Sequence, residues 1–353
     1  MKVNYFDNQK WYWMVPAIQS LDHNNSNLPF TLRIDLTTEC NFACPFCLYQ
    51  SKASAINKDK KYEYPNFSKL NHEKLLRIIE LFAARGLKST IITGGGEPMI
   101  YPRFFEVLDV LFRNRIEVGL ITNGTRLNAS SLKQVSEDNS MQWVRISLDA
   151  AKAATWKKMH IPVDNSSFNR IIGNVRRLVE LKNRKFLVAL NFLITPANYQ
   201  EILPFYELAK ELGVDNVRLT PTFTTKGKDI YSGIKKDVDR SLALLINKTK
   251  PLVKVNLPRF EFMDTPNRTK FCWFSSLSVN LGVDSRLYPC CLKKYVQNMG
   301  TPLHPDTFEK DMNKYFQKMS AFNAKKCQDC MYHEFNDYAQ KVSSPGELDH
   351  FVP

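Results

Sequence analysis

Three cysteines lie close together at the spacing Cys40-x3-Cys44-x2-Cys47. Thiolates hold iron–sulfur clusters, so these residues can bind three of the four irons of a cubane [4Fe–4S] cluster. The fourth iron would then have no protein ligand, which suits a cluster that must bind a small molecule. A zinc site and a chance grouping are the alternatives, but zinc sites usually pair cysteines as Cys-x2-4-Cys and need a fourth ligand.

Two further segments accompany this cysteine loop. They are Thr93-Gly94-Gly95-Gly96-Glu97-Pro98 and Ser147-Leu148-Asp149, and the aromatic Phe46 stands just before the last loop cysteine. Together these motifs resemble the signature of the radical S-adenosylmethionine (SAM) superfamily. The resemblance covers about residues 31–225 and, more loosely, 270–335.

The resemblance implies a SAM site beside the open iron. Glycines without side chains would let the backbone approach the methionine moiety closely. Glu97 would bond the SAM ammonium, with a bond to backbone as the alternative, and Phe46 would pack on adenine or in the core. Ser147 and Asp149 share one strand face and would bond ribose, or else cap the strand end. The expected cofactor-binding residues are Phe46, Thr93, Gly94, Gly95, Gly96, Glu97, Asn123, Ser147 and Asp149.

The elements that must position these residues alternate between strands and helices. Such alternation indicates an α/β fold with a parallel sheet, and here it resembles the partial (β/α)6 TIM barrel of the superfamily. Each candidate segment follows a predicted strand, and active sites of parallel barrels lie at the carboxyl ends of strands. The predicted strands are Leu32–Thr37, Ser89–Thr93, Glu117–Thr122, Trp143–Leu148, Phe186–Ile194 and Asn216–Thr220.

A second cysteine set occupies the C-terminal part of the chain: Cys272, Cys290, Cys327 and Cys330. It resembles the auxiliary-cluster domain of the SPASM/Twitch branch, and four thiolates suffice for one further [4Fe–4S] cluster. No cysteine follows, so the shorter Twitch pattern fits better, although Ser285 stands where relatives often have glycine. A four-cysteine zinc ribbon is the alternative.

The chain is predicted to divide into four parts. They are an N-terminal extension (1–30), the barrel (31–225), a linker with a closing helix (226–265) and the auxiliary-cluster domain (266–353). The polar residues 52–69 are expected to form an insertion over the cysteine loop.

Composition excludes few classes of protein. The 353 residues are 44% hydrophobic and 24% charged, as in ordinary globular proteins. There is no apolar run of about 18 residues and no signal-peptide layout, so a reducing cytoplasm without membrane contact is expected. The net charge of +14 is spread along the chain, which favours a solvated surface over nucleic-acid binding.

The lead hypothesis is a radical SAM enzyme that generates a 5′-deoxyadenosyl radical, abstracts a substrate hydrogen and oxidises the substrate radical through the auxiliary cluster. The substrate would be a peptide or a hydroxyl-bearing small molecule, and the reductant a flavodoxin- or ferredoxin-type protein. Cys291 is surplus to the clusters. It is either a buried, inert thiol or the hydrogen donor of a redox-neutral epimerase acting on a peptide or sugar.

Two other functions remain open. One is a nucleotide-modifying cyclase, although the Gly-Gly tail of the molybdopterin-precursor cyclases is not found at His350–Pro353. The other is a non-catalytic metal-binding or redox-sensing protein.

Overall fold

The computed structural model describes residues 15–19, 29–47, 49, 69–136, 138–164, 167–181, 185–222, 230–246, 254–256, 265–328 and 330–343. The predicted insertion at residues 52–69, apart from Lys69, and most of the predicted N-terminal extension lie outside these ranges. No helix among the described residues is long and apolar enough to cross a bilayer.

Ten strands of the described part of the chain form one sheet. They are β1 Thr31–Asp35, β2 Ser89–Thr93, β3 Glu117–Thr122, β4 Met141–Ser147, β5 Leu187–Ile194, β6 Asn216–Pro221, β7 Lys254–Asn256, β8 Ser278–Leu281, β9 Arg286–Tyr288 and β10 Thr301–Pro302. Their order is β10-β9-β8-β1-β2-β3-β4-β5-β6-β7. From β8 to β7 all neighbours are parallel, and β9 and β10 pair antiparallel at the β8 end.

Eleven α-helices are described. They are α1 Val15–Gln19, α2 His72–Ala84, α3 Phe104–Arg113, α4 Ala129–Ser136, α5 Ala153–His160, α6 Phe168–Glu180, α7 Ile202–Glu211, α8 Lys235–Ile246, α9 Trp273–Leu277, α10 Phe308–Ala321 and α11 His333–Ser343.

Amphipathic patterning explains how helices cover the sheet. Asn71 begins α2 by accepting a hydrogen bond from the Lys74 N–H at 3.0 Å. The apolar stripe of α2, which includes Leu75 and Ile79, is buried. Along β1, Leu32 and Ile34 alternate outward into this layer of helices. The remaining β1 side chains therefore face the barrel interior.

Trp143 fills the lower part of that interior. A Cβ added to Gly119 of β3 would lie 2.1 Å from the Trp143 ring, so the indole of β4 occupies the space that Gly119 leaves. The barrel is thus filled at its amino-terminal end and open at the carboxyl ends of its strands.

The predicted partial (β/α)6 barrel is confirmed, with local differences. The helix α5 was not predicted. The predicted helix start at Asn165 or Ser166 lies outside the described residues, and α6 is capped by Ser167. Strand β7 lies within the predicted linker, and β8 pairs with β1, so the C-terminal part extends the barrel sheet. The predicted domain boundaries stay predictions.

Candidate active site

A pocket of about 370 Å³ opens at the carboxyl ends of the barrel strands. Its wall brings together the three predicted sequence segments and the C-terminal part of the chain. All nine predicted cofactor-binding residues line it, and so do the three loop cysteines and Cys291. These residues are Phe46, Thr93, Gly94, Gly95, Gly96, Glu97, Asn123, Ser147, Asp149, Cys40, Cys44, Cys47 and Cys291. The sequence prediction therefore identified residues that share one cavity.

The glycine segment is packed directly against the cysteine loop. The Gly96 N–H donates to the Thr37 carbonyl at 2.9 Å, and the Glu97 N–H donates to the Glu39 carbonyl at 2.8 Å. A Cβ added to Gly96 would lie 1.8 Å from the Glu39 oxygen. Glycine is therefore required at position 96 by a backbone contact within the protein, a reason that the sequence did not indicate.

Glu97 bonds to groups within the protein, which was the alternative to the expected bond with the SAM ammonium. Its carboxylate accepts from the Met99 N–H at 3.1 Å, the Thr122 hydroxyl at 2.6 Å and the Asn123 N–H at 2.7 Å. Burial raises the pKa of Glu97, whereas these hydrogen bonds lower it. The carboxylate thus joins the ends of β2 and β3.

Asn123 supports the cysteine loop from below. Its Nδ2 donates to Asn41 Oδ1 at 2.8 Å, and its Oδ1 accepts from the Thr125 N–H and hydroxyl at 3.0 and 2.7 Å. Asn41 Nδ2 in turn donates to Thr125 Oγ1 at 3.1 Å and to Asp164 Oδ2 at 3.0 Å. Because Asn41 directly follows Cys40, this network fixes the start of the loop.

The loop thiols need a partner of positive charge to become thiolates. Burial raises the pKa of Cys40 to about 12. Burial also raises the pKa of Cys44, and the neighbouring Cys47 and Cys40 raise it further. Thiolates are the form that binds metal. A cationic iron centre supplies the missing positive charge, so this donor set fits an iron–sulfur cluster.

His160 is a buried contact of the loop that the sequence analysis missed. Its Nε2 lies 3.0 Å from the Leu148 carbonyl and its Nδ1 lies 3.3 Å from Cys44 Sγ. A carbonyl only accepts, so Nε2 carries the proton and Nδ1 faces the Cys44 sulfur as an acceptor. Burial lowers the pKa of His160, and the nearby Asp149 opposes that shift.

Asp149 stands at the end of β4 in a left-handed backbone conformation, with φ of 57°. Its Oδ1 accepts from the Leu193 N–H at 2.7 Å and from Asn191 Nδ2 at 3.2 Å. Its Oδ2 lies 3.5 Å from His160 Nε2. Burial raises the pKa of Asp149, and its partners lower it. Asp149 is therefore held firmly at the pocket wall.

The four C-terminal cysteines are partly buried and lie near one another. Burial raises the pKa of all four thiols. The pKa of Cys330 rises to about 12, because the nearby Cys272 and Cys327 add to the effect of burial. Asn336 Nδ2 donates to Asn267 Oδ1 at 2.9 Å and contacts Cys330 Sγ at 3.9 Å. Within the described ranges, no group of three or more His, Cys, Asp or Glu side chains is arranged to hold a single metal ion. The auxiliary cluster stays a prediction.

Cys291 faces the pocket between these two regions. Its Sγ lies 3.4 Å from Met331 Sδ and 3.9 Å from the Tyr332 hydroxyl, and both Cys291 and Met331 line the cavity. At the ends of the neighbouring strands, Thr220 of β6 lines the pocket, whereas Thr195, directly after β5, bonds Asn198 and does not line it.

A sequence model of the Radical SAM superfamily matches residues 34–209. Among curated proteins, the probable GTP 3′,8-cyclase of Saccharolobus solfataricus is 31% identical over 191 residues, which are 53% of this chain and 55% of that protein. The probable GTP 3′,8-cyclase of Methanocaldococcus jannaschii is 24% identical over 295 residues, 81% of this chain and 92% of that protein. The chain spans about half the length of the Saccharolobus relatives.

Two solved structures share the fold. Streptococcus suis SuiB bound to S-adenosylmethionine has a TM-score of 0.64 and 14% identity, over 89% of this chain and 76% of SuiB. The anSMEcpe protein with bound AdoMet has a TM-score of 0.60 and 17% identity, over 86% of this chain and 84% of that protein. At these identities the likeness shows the fold alone.

Proposed function

The chain belongs to the radical SAM superfamily, and we propose that it cleaves SAM reductively and abstracts a hydrogen atom from a substrate bound in the barrel pocket. The observation that carries this proposal is the shared cavity. One wall holds the three loop thiols and the Gly94–Glu97 segment, and another holds the end of β4. A cofactor held at the loop would therefore face both the substrate space and the polar strand ends.

Cys40, Cys44 and Cys47 would hold a [4Fe–4S] cluster in this proposal. When bound, that group supplies the electron that splits the sulfonium of SAM. The protein's part is to position both reactants and exclude water. The Gly96 and Glu97 backbone bonds fix the loop, whereas Ser147 and Asp149 would hold the ribose and Phe46 would pack on the adenine.

We further propose an auxiliary [4Fe–4S] cluster at Cys272, Cys290, Cys327 and Cys330. The substrate radical would pass its electron to this cluster, which makes the reaction an oxidation such as dehydrogenation or cross-linking. The pocket supports this route because Cys291, next to the proposed ligand Cys290, already reaches the substrate space.

A second candidate is redox-neutral epimerisation, in which the Cys291 thiol returns a hydrogen atom to the substrate radical. The supporting observation is that Cys291 lines the same cavity as the cysteine loop, as a hydrogen donor must. A third candidate, a nucleotide cyclase, is supported by the GTP 3′,8-cyclases that match the barrel half of the chain.

Anaerobic reconstitution with iron and sulfide tests the proposal. The protein should bind about eight irons and release 5′-deoxyadenosine and methionine from SAM under reducing conditions. The Cys40→Ala/Cys44→Ala/Cys47→Ala variant should retain about four irons, those of the auxiliary site, and make no 5′-deoxyadenosine. Unchanged SAM cleavage in the triple variant would overturn the assignment, and zinc in the C-terminal site would overturn the auxiliary cluster.

A further inference from the structure

Three barrel strands carry an arginine toward the interior, below the pocket. Side chains alternate along a strand. Ser147 of β4 and Thr220 of β6 line the pocket. Arg145 and Arg218 each stand two residues earlier on the same strands, so they face the same side of the sheet. Arg33 belongs to the same group, because its β1 neighbours Leu32 and Ile34 lie in the core cluster with the helices and its charge acts on Arg145. The three guanidinium groups therefore enter one space.

The strand register connects this space to the pocket above it. Arg145 is level with Ile121 of β3, and Arg218 is level with Asn191 of β5. Both Ile121 and Asn191 line the pocket. The arginine layer therefore lies directly beneath the pocket, at the level of two of its lining residues.

Polar atoms without partners accompany Arg33. Arg33 is level with Asn280 of β8. Within the described part of the chain, Arg33 Nε and both side-chain polar atoms of Asn280 are buried and have no hydrogen-bond partner. Buried polar groups are nearly always hydrogen-bonded, since leaving one unpaired is costly. Donors from two adjacent strands are thus available to a ligand.

Two of the three arginines carry a charge that no ion pair within the described ranges offsets. Among the described residues, neither Arg33 nor Arg145 makes an ion pair, and Arg145 instead stacks over the Trp143 ring at 5.4 Å. Burial lowers the pKa of Arg145, and the like charges of Arg218 and Arg33 lower it further. The acid at the end of β1 is engaged elsewhere, because Asp35 pairs with Lys294 at 2.6 Å.

We propose that Arg33, Arg145 and Asn280, with the added charge of Arg218, form the anion-binding base of the substrate site and hold a phosphate or carboxylate of the substrate. This inference rests on the proposed radical SAM function for the chemistry above it. Guanidinium groups present a planar fork of donors that matches the oxygens of both anions. Trp143 fixes the plane of Arg145 by stacking. The reacting carbon would then lie between this base and the cysteine loop.

Binding measurements on the reconstituted holoprotein test the assignment. Anaerobic calorimetry would use tripolyphosphate as the phosphate probe and tricarballylate as the carboxylate probe, and the tighter probe identifies the anion. Arg33→Met and Arg145→Met should each weaken that probe about 10- to 100-fold, as expected for the loss of one charge-assisted hydrogen bond. Arg176→Met is the matched control, because Arg176 is an exposed arginine paired with Glu211 at 2.7 Å.

Arg33→Lys and Arg145→Lys are milder variants that separate the loss of binding from a loss of folding. They keep the charge but lose the fork, so their affinity should fall between the wild type and the Met variants. The inference is overturned if neither probe binds the folded holoprotein, or if Arg33→Met and Arg176→Met bind the probe with equal affinity. SAM cleavage without substrate is measured on the same samples. Its presence without probe binding rejects this inference alone, and its absence with probe binding rejects the proposed reaction alone.

Discussion

Gly96→Ala should remove the iron of the cysteine loop while leaving the barrel folded. The added Cβ would stand 1.8 Å from the Glu39 carbonyl oxygen and 2.5 Å from its carbon. Both atoms belong to the backbone, so no side-chain rotation relieves the overlap. Since Cβ contacts below 3.0 Å are essentially never found, the two segments must separate by about 1.2 Å at this point.

The magnitude follows from the bonds that join the two segments. A separation of that size breaks the Gly96–Thr37 and Glu97–Glu39 backbone hydrogen bonds, at about 0.5–1.5 kcal/mol each. Overpacking adds about 1–3 kcal/mol. The free energy of unfolding should fall by about 2–6 kcal/mol, which lowers the Tm by about 3–8 °C in a chain of this length. Cys40 directly follows Glu39, so the first ligand moves with the loop.

Iron content and thermal unfolding are the measurements. Gly96→Ala should lose about four irons per chain and all release of 5′-deoxyadenosine. Gly173→Ala is the matched control: Gly173 lies within α6, and an added Cβ there meets nothing within 4 Å. That variant should gain about 0.5–1 kcal/mol from helix propensity and keep its iron. A Gly96→Ala protein with wild-type iron and SAM cleavage would refute the packing argument.

Two further predictions concern the C-terminal part of the chain. Lys294→Met should lower the free energy of urea unfolding by about 3–5 kcal/mol, because Asp35, which is 1% exposed, loses its ion-pair partner and keeps the hydrogen bond from Tyr295. The double variant Asp35→Asn/Lys294→Met should recover most of this loss, and equal losses in the single and double variants would contradict the pairing. Under the oxidative reaction, product made in heavy water should be two hydrogens lighter than substrate in both wild type and Cys291→Ala. Deuterium gained by the wild type and lost in Cys291→Ala would instead establish hydrogen return from the thiol.

Local signals in the sequence were enough to predict the barrel and the residues of its pocket. Hydrophobic alternation marked the six strands, and parallel strands gather their carboxyl ends at one edge, so the motifs at those ends were expected to meet. The structural role of a pocket residue was harder to predict than its position in the pocket. Gly96 was expected to admit SAM, yet its nearest contact is the Glu39 backbone.

Contacts between distant segments were not predictable in this way. His160 reaches Cys44 across 116 residues, through a helix that was not predicted and a left-handed turn at Ile161. Tyr295 donates to Asp35 across 260 residues. Such pairs depend on the register and order of strands, which the alternation of apolar residues along one segment does not determine.

The pairing of β8 with β1 has the largest effect on the site. It makes Asn280 the neighbour of Arg33, and it places Lys294 against Asp35 at the end of the strand that leads into the cysteine loop. The Lys294 ammonium also lies 4.6 Å from the centre of the Tyr49 ring, two residues beyond Cys47. The C-terminal part thus contacts the loop at its start and at its end. It supplies one side of the barrel interior as well as the Cys291 wall, so the proposed anion-binding base and the support of the cysteine loop both depend on the pairing of β8 with β1.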